Sequence, residues 1–149
     1  PSAAARPASA EARPVAAPAS QSGSGNEGRE RETFNRDAQR LANARDWPAF
    51  ATTLHPDIEY RVPQTRELIR GIDAFVAFYA TYPGDWTVTI TRLIADGDSA
   101  VTSTAFHVEQ HTLTGIAFFT LKDGLIWRID DWWPEDYSPP PRLVAVERY

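Results

Sequence analysis

One hairpin, at residues 118–137, constrains the fold of this chain more than any other feature. Two apolar runs rich in β-branched and aromatic residues flank the pair Asp123-Gly124. An Asp-Gly pair between such runs is the strongest short-range signal for a β-hairpin. The second run ends abruptly at Pro134, which has no N–H with which to extend a strand. The sequence therefore predicts two antiparallel strands joined by a tight turn.

The return strand of this hairpin places two adjacent carboxylates on opposite faces. Side chains alternate along a strand, so Asp131 is predicted to share a face with Trp127, Ile129 and Trp133. Asp130 then lies on the other face, where a basic side chain two positions away can pair with it. A carboxyl group in apolar surroundings has a raised pKa and can act as an acid or a base. Asp131 is therefore the first candidate functional residue.

Composition disfavours several classes of site and partner. The chain has 149 residues, the size of one domain. It has no cysteine, which excludes disulfides and thiolate metal sites. Its histidines show no metal-binding spacing, so no metal or cofactor is predicted. A net charge of −5 disfavours nucleic acid and anionic membranes as partners. No apolar run has the length of a membrane span.

Both ends of the chain differ in composition from the middle. Residues 1–28 are rich in Ala, Pro and Ser and lack aromatic residues, which predicts a disordered tail. This tail lacks the apolar stretch of a signal peptide. Its composition is equally compatible with a spacer that remains after a signal peptide has been removed. The compartment, cytoplasmic or exported, therefore stays open. Residues 29–138 form the predicted domain. Residues 139–149 open with three prolines and are predicted to form a Pro-rich strap, with 143–149 docked on the domain.

Apolar periodicity predicts helices first and strands afterwards. Spacings of three and four residues indicate helices, and strict alternation indicates strands. The helices are predicted at about 30–45, 47–54 and 73–82, the third capped by Asp73, and a polar loop is predicted at 64–71. The strands are predicted at 58–62, 86–95 and 99–110, followed by the two strands of the hairpin. The helices must bury their apolar stripes on one face of the sheet, which predicts an α+β two-layer domain.

The order of these elements, with particular short motifs, resembles the SnoaL-like proteins of the nuclear transport factor 2-like superfamily. The motifs that carry the resemblance are residues 43–47, 54–60, 70–75, 122–126 and 132–135. The resemblance implies a cone-shaped barrel in which three N-terminal helices pack on a curved, mainly antiparallel sheet. It also implies an apolar pocket inside the open end of the cone. Because this superfamily includes several enzyme types and pure binding modules, the fold alone does not decide the function.

Site residues of the superfamily can be compared with this chain position by position. Val62 stands where ketosteroid isomerases have their general base, and Ala38 falls near their oxyanion tyrosine, so that chemistry is not implied. Asp131 matches the water-activating aspartate of limonene epoxide hydrolases. Ala105 and His107 fall at the places of the arginine and second aspartate of those enzymes, so their full set is not reproduced. SnoaL-type cyclases use an aspartate with a histidine nearby, and Asp131 with His107 resembles that pair.

The resemblance and the strand alternation together predict a proton-transfer site in the pocket. Asp131 is the predicted general base, and His107 is its predicted partner. Apolar walls would raise the pKa of the Asp131 carboxyl and would hold a flat hydrophobic substrate. The predicted substrate-binding residues are Tyr60, Tyr79, Phe106, Phe119, Trp127 and Trp133.

Two functions stay open on the sequence. The first is an enzyme of cyclase, isomerase, dehydratase or epoxide-hydrolase type that acts on a small hydrophobic molecule. The second is a noncatalytic ligand-binding or dimerisation module, in which Asp131 is a hydrogen-bonded core carboxyl and His107 a surface or core histidine. Both side chains in one pocket would favour the enzyme, and either one facing solvent would favour the binding module. Superfamily members commonly pair through the open face of the sheet, which implies a homodimer.

Overall fold

The computed structural model describes residues 24–149 as three helices and six strands. The helices are α1 (Ser24–Asn43), α2 (Trp47–Ala51) and α3 (Ile72–Ala80). The strands are β1 (Leu54–Val62), β2 (Glu67–Arg70), β3 (Trp86–Asp96), β4 (Ser99–Val108), β5 (His111–Lys122) and β6 (Leu125–Trp132). The predicted tail at 1–28 lies largely outside the described residues. Within the described part, no helix is both long and apolar enough to cross a membrane.

All six strands form one mixed sheet in the order β2-β1-β6-β5-β4-β3. Strands β3 to β6 form an antiparallel meander, whereas β1 joins β6 in parallel and β2 joins β1 antiparallel. The helices pack on this sheet, so the predicted α+β class with a mainly antiparallel sheet is confirmed. The sheet is not closed, because β2 and β3 are its two free edges.

Two amide side chains fasten α1 to the edge strand β3. Asn43 donates to the carbonyl of Val88 at 2.7 Å and accepts from the Val88 N–H at 2.8 Å. Gln39 also donates to the Val88 carbonyl and accepts from the N–H of Ile90. An edge strand exposes unpaired backbone groups, and these amides satisfy them. Because of these bonds, α1 lies against β3 and forms one wall of the space inside the sheet.

Element boundaries differ from the predicted ones at several places, and β1 begins at Leu54 rather than at 58. Helix α1 begins at Ser24 rather than near residue 30, and α2 ends at Ala51 rather than near 54. Helix α3 has Gly71 as its N-cap, with φ 85°, so Asp73 lies in the first turn and is not the cap. The predicted loop at 64–71 contains β2, which was missed because four residues are too few for a periodicity to register.

The hairpin that dominates the sequence forms as predicted. Asp123 and Gly124 have φ of 55° and 74°, the two positive values that a type I′ turn requires. The predicted docking of 143–149 is wrong, since Leu143 and Tyr149 are fully exposed. The three prolines at 139–141 lack N–H groups and fix φ, so this segment cannot pair with the sheet.

Candidate functional site

A cavity of about 470 Å³ lies between the inner face of the sheet and helices α1 and α3. Its walls are mainly aromatic and aliphatic, and its charged lining residues, within the described part of the chain, are the acidic Glu67, Asp131 and Glu135. Five of the six predicted wall residues line it, namely Tyr60, Tyr79, Phe106, Phe119 and Trp133. Within residues 24–149, no group of three or more His, Asp or Glu side chains is placed to hold a metal ion.

Asp131 points from β6 into this cavity and is only 5% exposed. The hydroxyl of Tyr60 donates a 2.7 Å hydrogen bond to its Oδ2. Burial raises the pKa of the Asp131 carboxyl to about 6, although hydrogen bonds from Tyr60 and Trp133 oppose the rise. A carboxyl with such a pKa is present in both protonation states near neutral pH. It can therefore accept or donate a proton.

Two phenols accompany this carboxyl. Tyr60 on β1 is 3% exposed, and Tyr79 on α3 lies beside it, with ring centroids 6.2 Å apart. Burial raises the pKa of both hydroxyls well above the ordinary value for tyrosine. Both phenols therefore stay protonated over the physiological range, so Tyr60 remains a hydrogen-bond donor to Asp131.

Trp127 is absent from the cavity lining, so its predicted placement in the wall is wrong. The pairing of β5 with β6 shifts between Thr120 and Leu121 and leaves Trp127 without a register partner. Such an extra residue is a β-bulge, and it changes the phase of the alternation. Ile126 and Ile129, three residues apart, are therefore both buried along the cavity. Strict alternation from the sequence missed the bulge.

The predicted placement of His107 inside the cone is also wrong. Its side chain is exposed, and its Nδ1 lies 2.9 Å from the Thr112 Oγ1. The residues of β4 that line the cavity are Thr102, Thr104 and Phe106. Both faces of β4 carry polar and small apolar side chains, so alternation gave two faces without identifying the inner one. Asp131 and His107 therefore do not meet.

Sequence reasoning missed the residues that hold Trp133 beside Asp131. The Gln64 side chain accepts from the Trp133 N–H at 2.6 Å and donates to the Trp133 carbonyl at 2.7 Å. A Cβ on Gly115 would lie 3.2 Å from two atoms of the Trp133 ring, so the ring packs directly on this glycine. No local pattern around Gln64 indicates these contacts, because they join segments that are far apart in sequence.

Comparison with known proteins gives one consistent fold. Residues 36–129 match the model of the SnoaL-like domain. A candidate ketosteroid isomerase from Kribbella flavida DSM 17836 is 38% identical, covers 83% of this chain and 93% of its own, and superposes with a TM-score of 0.76.

Two further solved structures share the fold at lower identity. An LEH-like epoxide hydrolase from M. tuberculosis is 19% identical over 72% of this chain and 85% of its own, with a TM-score of 0.61. A candidate polyketide cyclase from Sinorhizobium meliloti is 19% identical over 66% and 93%, with a TM-score of 0.60. No curated protein matches the chain.

Proposed function

Since the chain belongs to the SnoaL-like domain family, we propose that it binds a small hydrophobic molecule in its cavity and catalyses proton transfer on it. Asp131 is the proposed general base. The observation that carries the proposal is the position of this carboxyl, which is 5% exposed in a mainly apolar cavity. Its pKa of about 6 lies close to the operating pH, as efficient acid–base catalysis requires.

Asp131 would act in its ionised form by taking a proton from a C–H or O–H group of the ligand. A carboxylate oxygen accepts more than one hydrogen bond, so the bond from Tyr60 can persist during the transfer. That bond restricts rotation of the carboxyl and keeps it oriented. A positioned general base contributes roughly 10²–10⁴-fold to a rate, and aromatic walls would hold a flat substrate against it.

The reaction classes compatible with this site are cyclisation, isomerisation, dehydration and epoxide hydrolysis. Solved structures with this fold include a candidate ketosteroid isomerase, an LEH-like epoxide hydrolase and a candidate polyketide cyclase. Val62, which stands where ketosteroid isomerases have their base, is apolar and lines the same cavity. Proton abstraction would therefore depend on Asp131 on the neighbouring strand β6, and not on the first strand.

A model ketone tests the proposal without knowledge of the natural substrate. The protein is expected to accelerate exchange of the α-protons of β-tetralone in heavy water, followed by NMR. Asp131→Asn should abolish the acceleration, and Asp130→Asn should leave it unchanged, because Asp130 points outward and pairs with Arg128 at 3.0 Å. Equal exchange rates with Asp131→Asn and the unsubstituted protein would refute the role of Asp131.

The second candidate function is noncatalytic ligand binding by the same cavity. The exposure of His107 favours it, because Asp131 is left without a second titratable partner from β4. Under this alternative, binding of β-tetralone quenches the tryptophan fluorescence of the protein, but the protein does not accelerate exchange of the α-protons. Binding with exchange supports the enzyme, and binding without exchange supports the module.

We also propose that two copies of the chain pair through the outer face of the sheet. Large apolar side chains are exposed there, with Ile94 57%, Phe118 51% and Trp132 41% exposed. Phe118 and Trp132 alternate with the cavity-lining Ala117 and Asp131 on their strands. After the register shift in β3, Ile94 lies in one row with Phe118, so all three share the outer face. Light scattering should give the mass of a dimer, and Trp132→Glu should give a monomer. A monomeric unsubstituted protein at high concentration would contradict the pairing.

A further inference from the structure

A buried hydroxyl in the cavity wall has no function in the site described so far. Thr102 on β4 is 1% exposed and lines the cavity. Its Oγ1 is buried and has no hydrogen-bond partner within residues 24–149. The other buried polar side chains in the lining are Asp131, which Tyr60 holds, and Asn35, which interacts with other groups of the chain. A native structure keeps few unpaired buried polar groups, and each calls for an explanation.

Thr102 lies in the same cross-strand row as Asp131. Thr102 pairs with Ala117 across β4 and β5, and Ala117 pairs with Asp131 across β5 and β6. Neighbouring strands are about 4.8 Å apart, so the Cα atoms of Thr102 and Asp131 are separated by on the order of 10 Å. The residue between them is an alanine, the smallest side chain in the row. This part of the row, which continues beyond Thr102 to Leu93 on β3, therefore has a polar group on each side of a low apolar floor.

We propose that Thr102 is a second anchor for the ligand, and that the ligand is a flat, mainly apolar molecule with a hydroxyl or carbonyl group at each end. One end meets Asp131, and the other meets the Thr102 hydroxyl, which can both donate and accept. The hydroxyl is enclosed, and under this proposal rotation about χ1 to another staggered position would turn it toward the ligand. This inference rests on the proposed function only in placing the reacting end of the ligand at Asp131.

Such an anchor would set specificity. A site that hydrogen-bonds a substrate hydroxyl discriminates strongly against the analogue that lacks it, because the polar group of the protein is then left unpaired. No group of residues 24–149 pairs with the Thr102 hydroxyl, and a buried hydroxyl without a partner costs stability. The ligand would therefore restore a hydrogen bond that folding leaves unmade.

Thr102→Val tests this, because valine keeps the shape and removes the hydroxyl. The probes are a naphthalenediol with hydroxyls at opposite ends and the corresponding naphthol with one. The unsubstituted protein should bind the diol more tightly. Thr102→Val should weaken diol binding by about 3- to 10-fold and leave naphthol binding unchanged. In the absence of ligand, Thr102→Val should raise Tm by roughly a few degrees, because it removes a buried hydroxyl that has no partner within residues 24–149.

Thr102→Ser is the matched control, because it retains a hydroxyl and should keep the preference for the diol. An unchanged diol-to-naphthol ratio in Thr102→Val overturns the second anchor, as does failure of the unsubstituted protein to prefer the diol or to bind either probe. The proposed function fails separately. If Asp131→Asn keeps full exchange activity while Thr102→Val loses the diol preference, the anchor stands and the general base does not.

Discussion

Tyr60 and Asp131 lie 71 positions apart in sequence, and the Tyr60 hydroxyl donates a 2.7 Å hydrogen bond to the Asp131 Oδ2. The parallel pairing of β1 with β6 sets Tyr60 opposite Ile129, two residues before Asp131. Both side chains then enter the cavity from neighbouring strands. The bond fixes the carboxyl, but burial remains the larger influence on its pKa. The site is therefore a positioned carboxyl that is held above its ordinary pKa.

The raised pKa predicts that Asp131→Asn stabilises the protein at neutral pH. The folded pKa is about 6 against an ordinary 3.8, so the folded state binds more protons than the unfolded state between these values. Stability therefore falls as pH rises through this window. At about 1.4 kcal/mol per pKa unit, the ionised carboxyl costs about 3 kcal/mol above pH 7. Asparagine avoids that cost.

Urea unfolding at about pH 4 and about pH 8 measures the effect. The gain from Asp131→Asn should appear at the higher pH and largely vanish at the lower one. Asp130→Asn is the control, because Asp130 is partly exposed and pairs with Arg128, and it should show no such gain. A loss of stability in Asp131→Asn at the higher pH would contradict the assignment of burial as the dominant cause.

Tyr60→Phe is expected to raise the pKa of Asp131 further. The hydrogen bond from Tyr60 favours the ionised carboxylate and lowers its pKa, so its removal leaves desolvation less opposed. Stability at about pH 8 should fall by about 1.5–3 kcal/mol, the usual range for a hydrogen bond to a charged group. NMR titration of the carboxyl carbon measures the pKa. An unchanged pKa in Tyr60→Phe would show that the bond does not act on the carboxylate.

The inward position of Asp131 could be predicted from the sequence because the pattern after the turn is strong. Asp131 and Trp133 are two positions apart and face the same side of the strand, and Pro134 fixes the end of the strand. The same reasoning failed at Trp127, because a bulge inserts one residue without any local signal. Alternation therefore held on one side of the bulge and failed on the other.

The remaining parts of the site depend on contacts between distant segments. His107 could not be assigned a face, since each face of β4 mixes hydroxyl side chains with apolar ones, the serines on the face of His107 and the threonines on the other. The hydrogen bond from Tyr60 requires β1 to pair in parallel with β6, and no local pattern specifies that partner. Thr102 is neither charged nor strongly apolar and belongs to no sequence motif, so nothing in the sequence singles it out. Its significance comes from burial and from its row across the sheet.

Gly115→Ala is expected to disturb the cavity more than the fold. The new Cβ would lie 2.7 Å from the Thr104 Oγ1, which must move, and 3.2 Å from two Trp133 ring atoms, which must give by a few tenths of an ångström. Overpacking of this kind costs about 1–3 kcal/mol, and naphthol binding should weaken. Gly97→Ala is the control, because a Cβ there meets nothing within 4 Å. It strains only the turn, where φ is 53°, and should leave naphthol binding intact. Equal binding losses in both variants would contradict a local effect at Trp133.

Gln64→Ala should release Trp133 from its position beside Asp131. The Gln64 amide is bound to both the N–H and the carbonyl of Trp133, just beyond the end of β6, where no strand continues the ladder. The loss of these exposed bonds should cost about 1 kcal/mol of stability, because water replaces them. Local opening should increase more than global unfolding does.

Hydrogen exchange of the Trp133 amide measures this opening directly, and naphthol affinity should fall in parallel. Thr65→Ala is the matched control, since Thr65 is the next residue in the same loop and its hydroxyl bonds to Glu67 rather than to β6. It should leave the Trp133 amide protected. If that amide exchanges at the same rate in Gln64→Ala and in the unsubstituted protein, then Trp133 is held by its ring packing on Gly115 and not by Gln64.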